Sequence, residues 1–298
     1  MKAIVFGGSG FLGSHVADRL QESGHQVTIF DRRPSPYLRP GQEMIRGDLL
    51  DEEKVKRYIQ ECEYVYNFAG VTNIEEASTQ PLQTVKLNVL GNTVLLEACR
   101  SAGVKRFVYA STVYVYSQAG GFYRCSKQAA ELYIEMYQRE YGLPYTILRY
   151  GSLYGSRADE TNAVRHYLME ALRYGKIVCR GDGEEMREYI HVEDAARQSV
   201  EILAPEFENQ HVVLTGHQSM KVRVLLEMIR EILDKPVEVT FQPADVRVHY
   251  QMTPYNFHPK IGKKLVSRYY LDMGQGLLAC LNEIYEQEKD PIETKPAR

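Results

Sequence analysis

Tyr123 and Lys127 stand four residues apart in Tyr123-Arg124-Cys125-Ser126-Lys127, a spacing that puts both on one face of a helix. Such a pair can move a proton. A phenol ordinarily ionises near pH 10, and it serves as a base at neutral pH only if nearby positive charge depresses it by about 3 units, roughly 4 kcal/mol. The spacing alone is weak evidence. With 22 tyrosines in 298 residues, about one such pair arises by chance, and a second stands at Tyr285 and Lys289. Context separates them: Tyr123 opens a helical stretch just after a strand-like run that ends in Ser111-Thr112, whereas Tyr285 lies in a charged terminal segment.

A second constellation would bind rather than react. Gly7-Gly8-Ser9-Gly10-Phe11-Leu12-Gly13 falls between an apolar run, Lys2–Val5, and a helical pattern over Phe11–Ser23. Glycines at 7, 10 and 13 permit a tight turn, a close approach of backbone N–H groups to a pyrophosphate, and close packing of helix on sheet. The helix N-terminus adds partial positive charge for the anion. Asp31 follows the next strand, Gln26–Phe30, about twenty residues on, where a carboxylate accepts from both ribose hydroxyls of NAD and repels the 2′-phosphate of NADP. Arg32 and Arg33 come next and could pair with such a phosphate, so NAD is the expected cofactor and NADP the alternative.

The elements that must hold these groups alternate. Further strands are expected around Met44–Ile45 and at Tyr64–Ala69, Arg106–Ala110 and Tyr145–Arg149. Helices are expected at Asp51–Gln60, from Pro81 to about Ala102, and at Tyr123–Tyr141. Strand, helix, strand in succession means right-handed βαβ units and a parallel sheet. After Tyr150 the alternation weakens, with helical patterns at Ala163–Tyr174, Val192–Leu203, Lys221–Leu233 and Gly274–Glu286. The expected architecture is α/β: a Rossmann-type doubly wound parallel sheet with a smaller, mainly helical C-terminal substrate lobe. Residues 1–150, with return strands and helices from about 176–215, form the first domain. Residues 151–175 and 216–286 form the lobe, and 287–298 a flexible tail.

Composition sets limits. A net charge of −3 lacks the positive excess that phosphate-backbone binding requires, so nucleic acid is a poor partner. No apolar run nears the roughly 20 residues of a membrane span. Cys62, Cys99, Cys125, Cys179 and Cys280 are scattered without a CxxC pair, and the eight histidines make no HxxxH, so neither disulfide scaffold nor metal site is indicated. The opening MKAIVFGG runs straight into a strand with no charged leader before a long apolar core, which makes the cytoplasm the expected compartment.

With these motifs in order, the chain resembles the extended short-chain dehydrogenases/reductases of the nucleotide-sugar epimerase/dehydratase kind. The glycine turn resembles that family's GxxGxxG. Asp48-Leu49 resembles its adenine-edge contact, Asn67-Phe68-Ala69-Gly70 its strand beside the pyrophosphate, and Asn88 its active-site asparagine. Ser111-Thr112 and Tyr123/Lys127 match the catalytic segment, and Arg187-Glu188-Tyr189-Ile190-His191-Val192-Glu193-Asp194 resembles its RDxxHVxD. Matches run from residue 1 to about 195, with a fainter echo at 242–245 and 274–278. The resemblance implies that Gly7, Gly10, Phe11, Leu12, Gly13, Asp31, Arg32, Asp48, Leu49, Phe68, Ala69, Gly70, Asn88, Tyr123 and Lys127 hold the cofactor. It implies that Thr72, Tyr114, Ser152, Arg187, Gln242 and Asp245 face a nucleotide-diphosphate sugar, Arg187 clamping the diphosphate, and that the two long helices pair two copies into a homodimer.

Departures narrow the chemistry. Family members that eliminate water carry Asp-Glu after the Thr, where this chain has Val113-Tyr114. Without that carboxylate, deprotonation α to a carbonyl lacks its obvious base, which disfavours dehydration and decarboxylation. Ser152 and Gln242 replace the usual Asn and Arg, and the stretch from Thr112 to Tyr123 is about half the common length, which should open the substrate side of the cleft. The expected activity is NAD-dependent epimerisation through transient oxidation of a secondary hydroxyl at C4. The alternatives are a net nucleotide-sugar dehydrogenase or 4-ketoreductase, and a non-catalytic dinucleotide-binding regulator.

Overall fold

A computed structural model describes residues 1–216, 219–233 and 236–243. Seven strands form one parallel sheet. In spatial order they are Gln210–Leu214 (β10), Tyr145–Tyr150 (β6), Arg106–Thr112 (β5), Tyr64–Asn67 (β4), Lys2–Phe6 (β1), Gln26–Asp31 (β2) and Glu43–Arg46 (β3). After Lys2, β1 is apolar because both its faces are covered: Ala3 through Phe6 are all buried. Alternate residues therefore serve two cores. Ala3, Val5, Val27, Ile29, Tyr66 and Val108 pack in one layer with residues of Phe11–Glu22 (α1) and Val192–Glu201 (α8). Ile4, Phe6, Phe30, Val65, Phe107 and Tyr109 pack in the other with Glu52–Ile59 (α2), Gly91–Ala102 (α5) and Gly121–Tyr141 (α6). This is the Rossmann-type doubly wound arrangement.

Between β4 and α5 the chain makes two short helices, Ile74–Thr79 (α3) and Pro81–Val85 (α4), and then a π turn, Lys86–Leu90. The expected single helix from Pro81 to Ala102 is thus three segments in line, since an extra residue per turn is invisible to hydrophobic spacing. α3 went unread, although its signal is present: the Asn73 side chain accepts from Glu76 N at 2.8 Å, an N-cap three residues ahead of a glutamate. β5 runs two residues beyond its expected end, pairing Ser111 with Arg149 and Thr112 with Tyr150.

After β6 come Ser152–Tyr154 (β7), Ala163–Tyr174 (α7), Lys176–Arg180 (β8) and Met186–His191 (β9). Beyond β10 lie Ser219–Lys221 (β11), Val222–Leu233 (α9) and Glu238–Gln242 (β12). Of the strands after Tyr150, β10 returns to the main sheet; β7, β9 and β11 form a small sheet, and β8 pairs with β12. Segment 176–215 is therefore divided: α8 packs on α1 and β10 closes the sheet, while β8 and β9 lie in the two small sheets. α7, β8 and α9 share a core of Ala171, Ile177, Cys179, Val222, Leu226 and Ile229. Asp245, the pattern at Gly274–Glu286, the Tyr285/Lys289 pair and the tail 287–298 lie outside the described residues. Among the described residues no helix is long and apolar enough to cross a membrane.

Candidate active site

The carboxyl ends of β1, β2, β4, β5 and β6 open on a cleft of about 380 Å³. At its floor Gly7 takes φ +77°, and a Cβ there would lie 2.6 Å from Ala69 N; a Cβ on Gly13 would lie 2.4 Å from Gly7 O. Gly10 caps α1 without a side-chain hydrogen bond, and no acidic residue stands in that helix's first turn. α2, α3 and α8 differ: each has a side-chain cap and two acids in its first turn. The first amides of α1 are therefore left for an anion from outside. Gly7, Gly10, Phe11, Leu12 and Gly13 all line the cleft.

Asp31 ends β2 in the cleft wall beside Arg32, Arg33, Asp48 and Leu49. Its carboxylate accepts from Ser9 N at 3.1 Å and from Arg33 N at 3.0 Å, which ties the end of β2 to the glycine turn. Phe68, Ala69 and Gly70 continue the wall beyond β4. Asn88 is not among the residues that line the cleft, and it stands directly behind Gly70, which is. Its Oδ1 accepts from Val71 N at 2.7 Å, and its Nδ2 donates to Val71 O and Ser126 Oγ, both at 2.9 Å. The side chain is spent on holding the segment after β4 against α6.

Thr112, Tyr123 and Lys127 meet in the same cleft. Thr112 ends β5, Tyr123 sits in the first turn of α6, and Lys127 follows one turn later. The Thr112 hydroxyl hydrogen-bonds the Tyr123 phenol, and Lys127 Nζ donates to Ala110 O at 2.7 Å, lying 5.9 Å from the Tyr123 ring centre. Burial pushes the Tyr123 phenol up to about 12, against the opposing hydrogen bond from Thr112. Burial likewise pulls the Lys127 ammonium down to about 8, with Glu131 opposing. The expected depression of the phenol is thus not achieved by the protein alone. Bringing it from about 12 to neutrality requires about 7 kcal/mol. A single charge about 6 Å away supplies about 3 kcal/mol at an effective dielectric near 20, so a second cation is needed.

Of the expected substrate residues, Thr72 lines the cleft; Tyr114, Ser152, Arg187 and Gln242 do not. Tyr114 lies on a short 3-10 turn, Val113–Tyr116, with its ring edge against Tyr123 at 6.3 Å between centres. Ser152 is in β7, Arg187 in β9 and Gln242 at the exposed end of β12. The short connection from Thr112 to Tyr123 turns back onto α6, where Arg124 Nη1 donates to Ser117 O and Gln128 Nε2 to Val115 O, each at 2.7 Å. Ser111, read with Thr112 in the catalytic segment, also lines the cleft, as do Leu87, Tyr150, Gly151, Leu153 and Asp159, which were given no role from sequence. For Tyr150 and Gly151 the signal existed, because ligands bind beyond the carboxyl ends of parallel strands.

A clasp joins the loop carrying Asp159 to α1. Asp18 is buried, and its carboxylate pairs with Arg157 at 2.7 Å and Arg39 at 3.0 Å and accepts from Gln42 Nε2 at 2.9 Å. Arg157 adopts φ +63°, and its guanidinium lies 4.6 Å from the Tyr37 ring centre. His15 Nε2 lies 3.0 Å from Ser156 O.

Residues 3–215 match the model of the NAD-dependent epimerase/dehydratase family. Over 266 residues the chain is 29% identical to a protein of Methanocaldococcus jannaschii provisionally named UDP-glucose 4-epimerase, covering 79% of this chain and 86% of that one. Its structure is similar to that of the Thermotoga maritima UDP-glucose 4-epimerase with UDP-glucose (TM-score 0.79, 29% identity, 86% and 90% of the two chains). It is also similar to the Thermus thermophilus UDP-glucose 4-epimerase complexed with NAD (TM-score 0.78, 26% identity, 88% and 95%).

Proposed function

The chain belongs to the NAD-dependent epimerase/dehydratase family, and from that premise we propose that it is a nucleotide-sugar 4-epimerase. The observation that carries this reading is the meeting of Thr112, Tyr123 and Lys127 in one cleft with an uncapped helix N-terminus and its glycine turn. The residues present fit NAD, since the cradle at Gly7 and Gly13 leaves no room for a side chain. NAD, when bound, supplies a hydride acceptor at its nicotinamide and, while oxidised, the second positive charge that the phenol needs. The amides of Phe11, Leu12 and Gly13 would hold the pyrophosphate, Asp31 the adenosine ribose, and Asp48 and Leu49 the adenine edge. Arg32 would flank that ribose, Phe68–Gly70 the pyrophosphate, and Lys127 the nicotinamide ribose.

Tyr123 takes the proton of the C4 hydroxyl as the carbon is oxidised, and Thr112 holds the same oxygen. The 4-keto sugar turns over in the cleft, and Tyr123 returns the proton as the other face is reduced. Val113 is buried and Tyr114 packs on Tyr123, so hydrocarbon and phenol stand where elimination would require a carboxylate. That supports epimerisation over dehydration. Purified protein given NAD and UDP-glucose should form UDP-galactose with no net absorbance change at about 340 nm. A steady rise would instead mean net oxidation. No conversion of UDP-glucose, its N-acetyl or uronic-acid forms, or dTDP-glucose would overturn the reading.

We also infer a homodimer. Leu82, Val85 and Leu90 on the α4-to-α5 run, and Phe122, Leu132, Tyr133 and Met136 on α6, are apolar and exposed. An apolar stripe on neighbouring helices suits a four-helix contact with a second copy. Mass measurement in solution should find a dimer for the native chain and a monomer for Leu132→Glu; a native monomer would refute it. A cytoplasmic location is in keeping with the free thiols of Cys62, Cys99, Cys125 and Cys179.

A further inference from the structure

Behind Tyr123 and Lys127, α6 buries a third ionisable residue. Glu131 stands one turn beyond Lys127, as Lys127 stands one turn beyond Tyr123, so all three share a helix face. The Glu131 side chain is 7% exposed and takes a two-point hold from Arg149 of β6, Nη2 to Oε2 at 2.6 Å and Nε to Oε1 at 3.0 Å. Ser111, in the cleft wall beside Thr112, donates to Oε1 at 2.5 Å. The remaining Arg149 donor, Nη1, meets the Tyr116 hydroxyl at 2.5 Å, and the guanidinium lies 4.6 Å from that ring's centre.

The groups facing the Lys127 ammonium are Tyr123 and Glu131 from α6, and the Tyr109 ring (4.7 Å) and Ala110 carbonyl (2.7 Å) from β5. Among them Glu131 is the carboxylate. Stability does not account for its burial, because a buried ion pair is often no better than apolar residues of the same volume. Charge does. Lys127, Glu131 and Arg149 sum to one positive charge, and ionisation of Tyr123 brings the group to zero.

We infer that Glu131 is a positioning residue for the chemistry at Tyr123: its carboxylate, oriented by Arg149 and Ser111, keeps Lys127 charged. This rests on the reading of Tyr123 as the group that moves the proton. Burial alone drives Lys127 toward its neutral form, and Glu131 is the group that resists. Loss of Glu131 lowers the pH at which Lys127 loses its proton, and the alkaline limb of the activity profile moves down with it.

The test is a pH titration of protein labelled with ¹⁵N-lysine, the Lys127 Nζ resonance being assigned by its absence from Lys127→Met. Removing the carboxylate in Glu131→Gln should lower the midpoint by about 1 pH unit or more. The alkaline limb of kcat with UDP-glucose should fall in parallel, with KM held within about threefold. Arg149→Met alone leaves Glu131 to Lys127 and should raise the midpoint. A midpoint that fails to fall in folded Glu131→Gln, or fails to rise in Arg149→Met should Glu131→Gln not fold, overturns the inference. Full activity in Tyr123→Phe would instead remove the reading beneath it; an inactive Tyr123→Phe with an unmoved Lys127 rejects the inference alone.

Discussion

Replacing Tyr123 with phenylalanine should lower kcat for UDP-glucose by about 10²–10⁴ while leaving NAD affinity within about twofold. The change removes one oxygen. The ring keeps its place against Tyr114, and Lys127 keeps its bond to Ala110 O, so the architecture of the cleft survives. What is lost is the atom that takes and returns the proton, together with its hydrogen bond to Thr112. Turnover with UDP-glucose and NAD titration by fluorescence check the two halves separately. A variant that keeps more than a tenth of native turnover would show that another group, or solvent, moves the proton. One that loses NAD binding as well would show that the phenol is structural.

Gly7→Ala should cost the fold about 2–4 kcal/mol and weaken NAD binding at least about tenfold. Two effects add. The left-handed φ of +77° disfavours any Cβ, and the added carbon would lie within 3 Å of Phe68 C, Phe68 O and Ala69 N. All three are backbone atoms in the wall of the same cleft, so none can swing aside as a side-chain tip would. Relief must come from moving the glycine turn off the end of β4, and that displaces the amides of α1 from their anion. Chemical denaturation and NAD titration of the same sample measure both. A variant of native stability that binds NAD as tightly as the native chain would mean that the turn adjusts freely.

The parallel sheet was legible because its strands are covered on both sides. Runs such as Ala3–Val5 and Phe107–Ala110 are apolar without interruption, and each is followed by glycine or a polar turn. The glycine turn, Asp31 and the Thr112/Tyr123/Lys127 set were legible because their chemistry depends on local spacing along single elements. In the lobe the helices Ala163–Tyr174 and Val222–Leu233 were legible, but the strands were not, because Ser152–Tyr154 and Ser219–Lys221 are three-residue strands that owe their form to partners far away in the chain. Asn88 illustrates another limit. Its residue type and position suggest contact with a ligand, but which way an amide points is decided by Val71 and Ser126, which no pattern along the chain brings beside it. Glu131 escaped notice for the same reason, since its partners Ser111 and Arg149 come from two other strands.

Asp18 gathers donors from Arg39, Gln42 and Arg157, so the last of its partners is synthesised 139 residues after it. A nascent chain that has delivered α1 and its glycine turn to the ribosome exit still lacks the segment that carries Asp159. Until that arrives, the Asp18 carboxylate is one donor short. The clasp thereby ties the helix behind the glycine turn to a segment made much later, a long-range contact that forms only once the intervening chain is present.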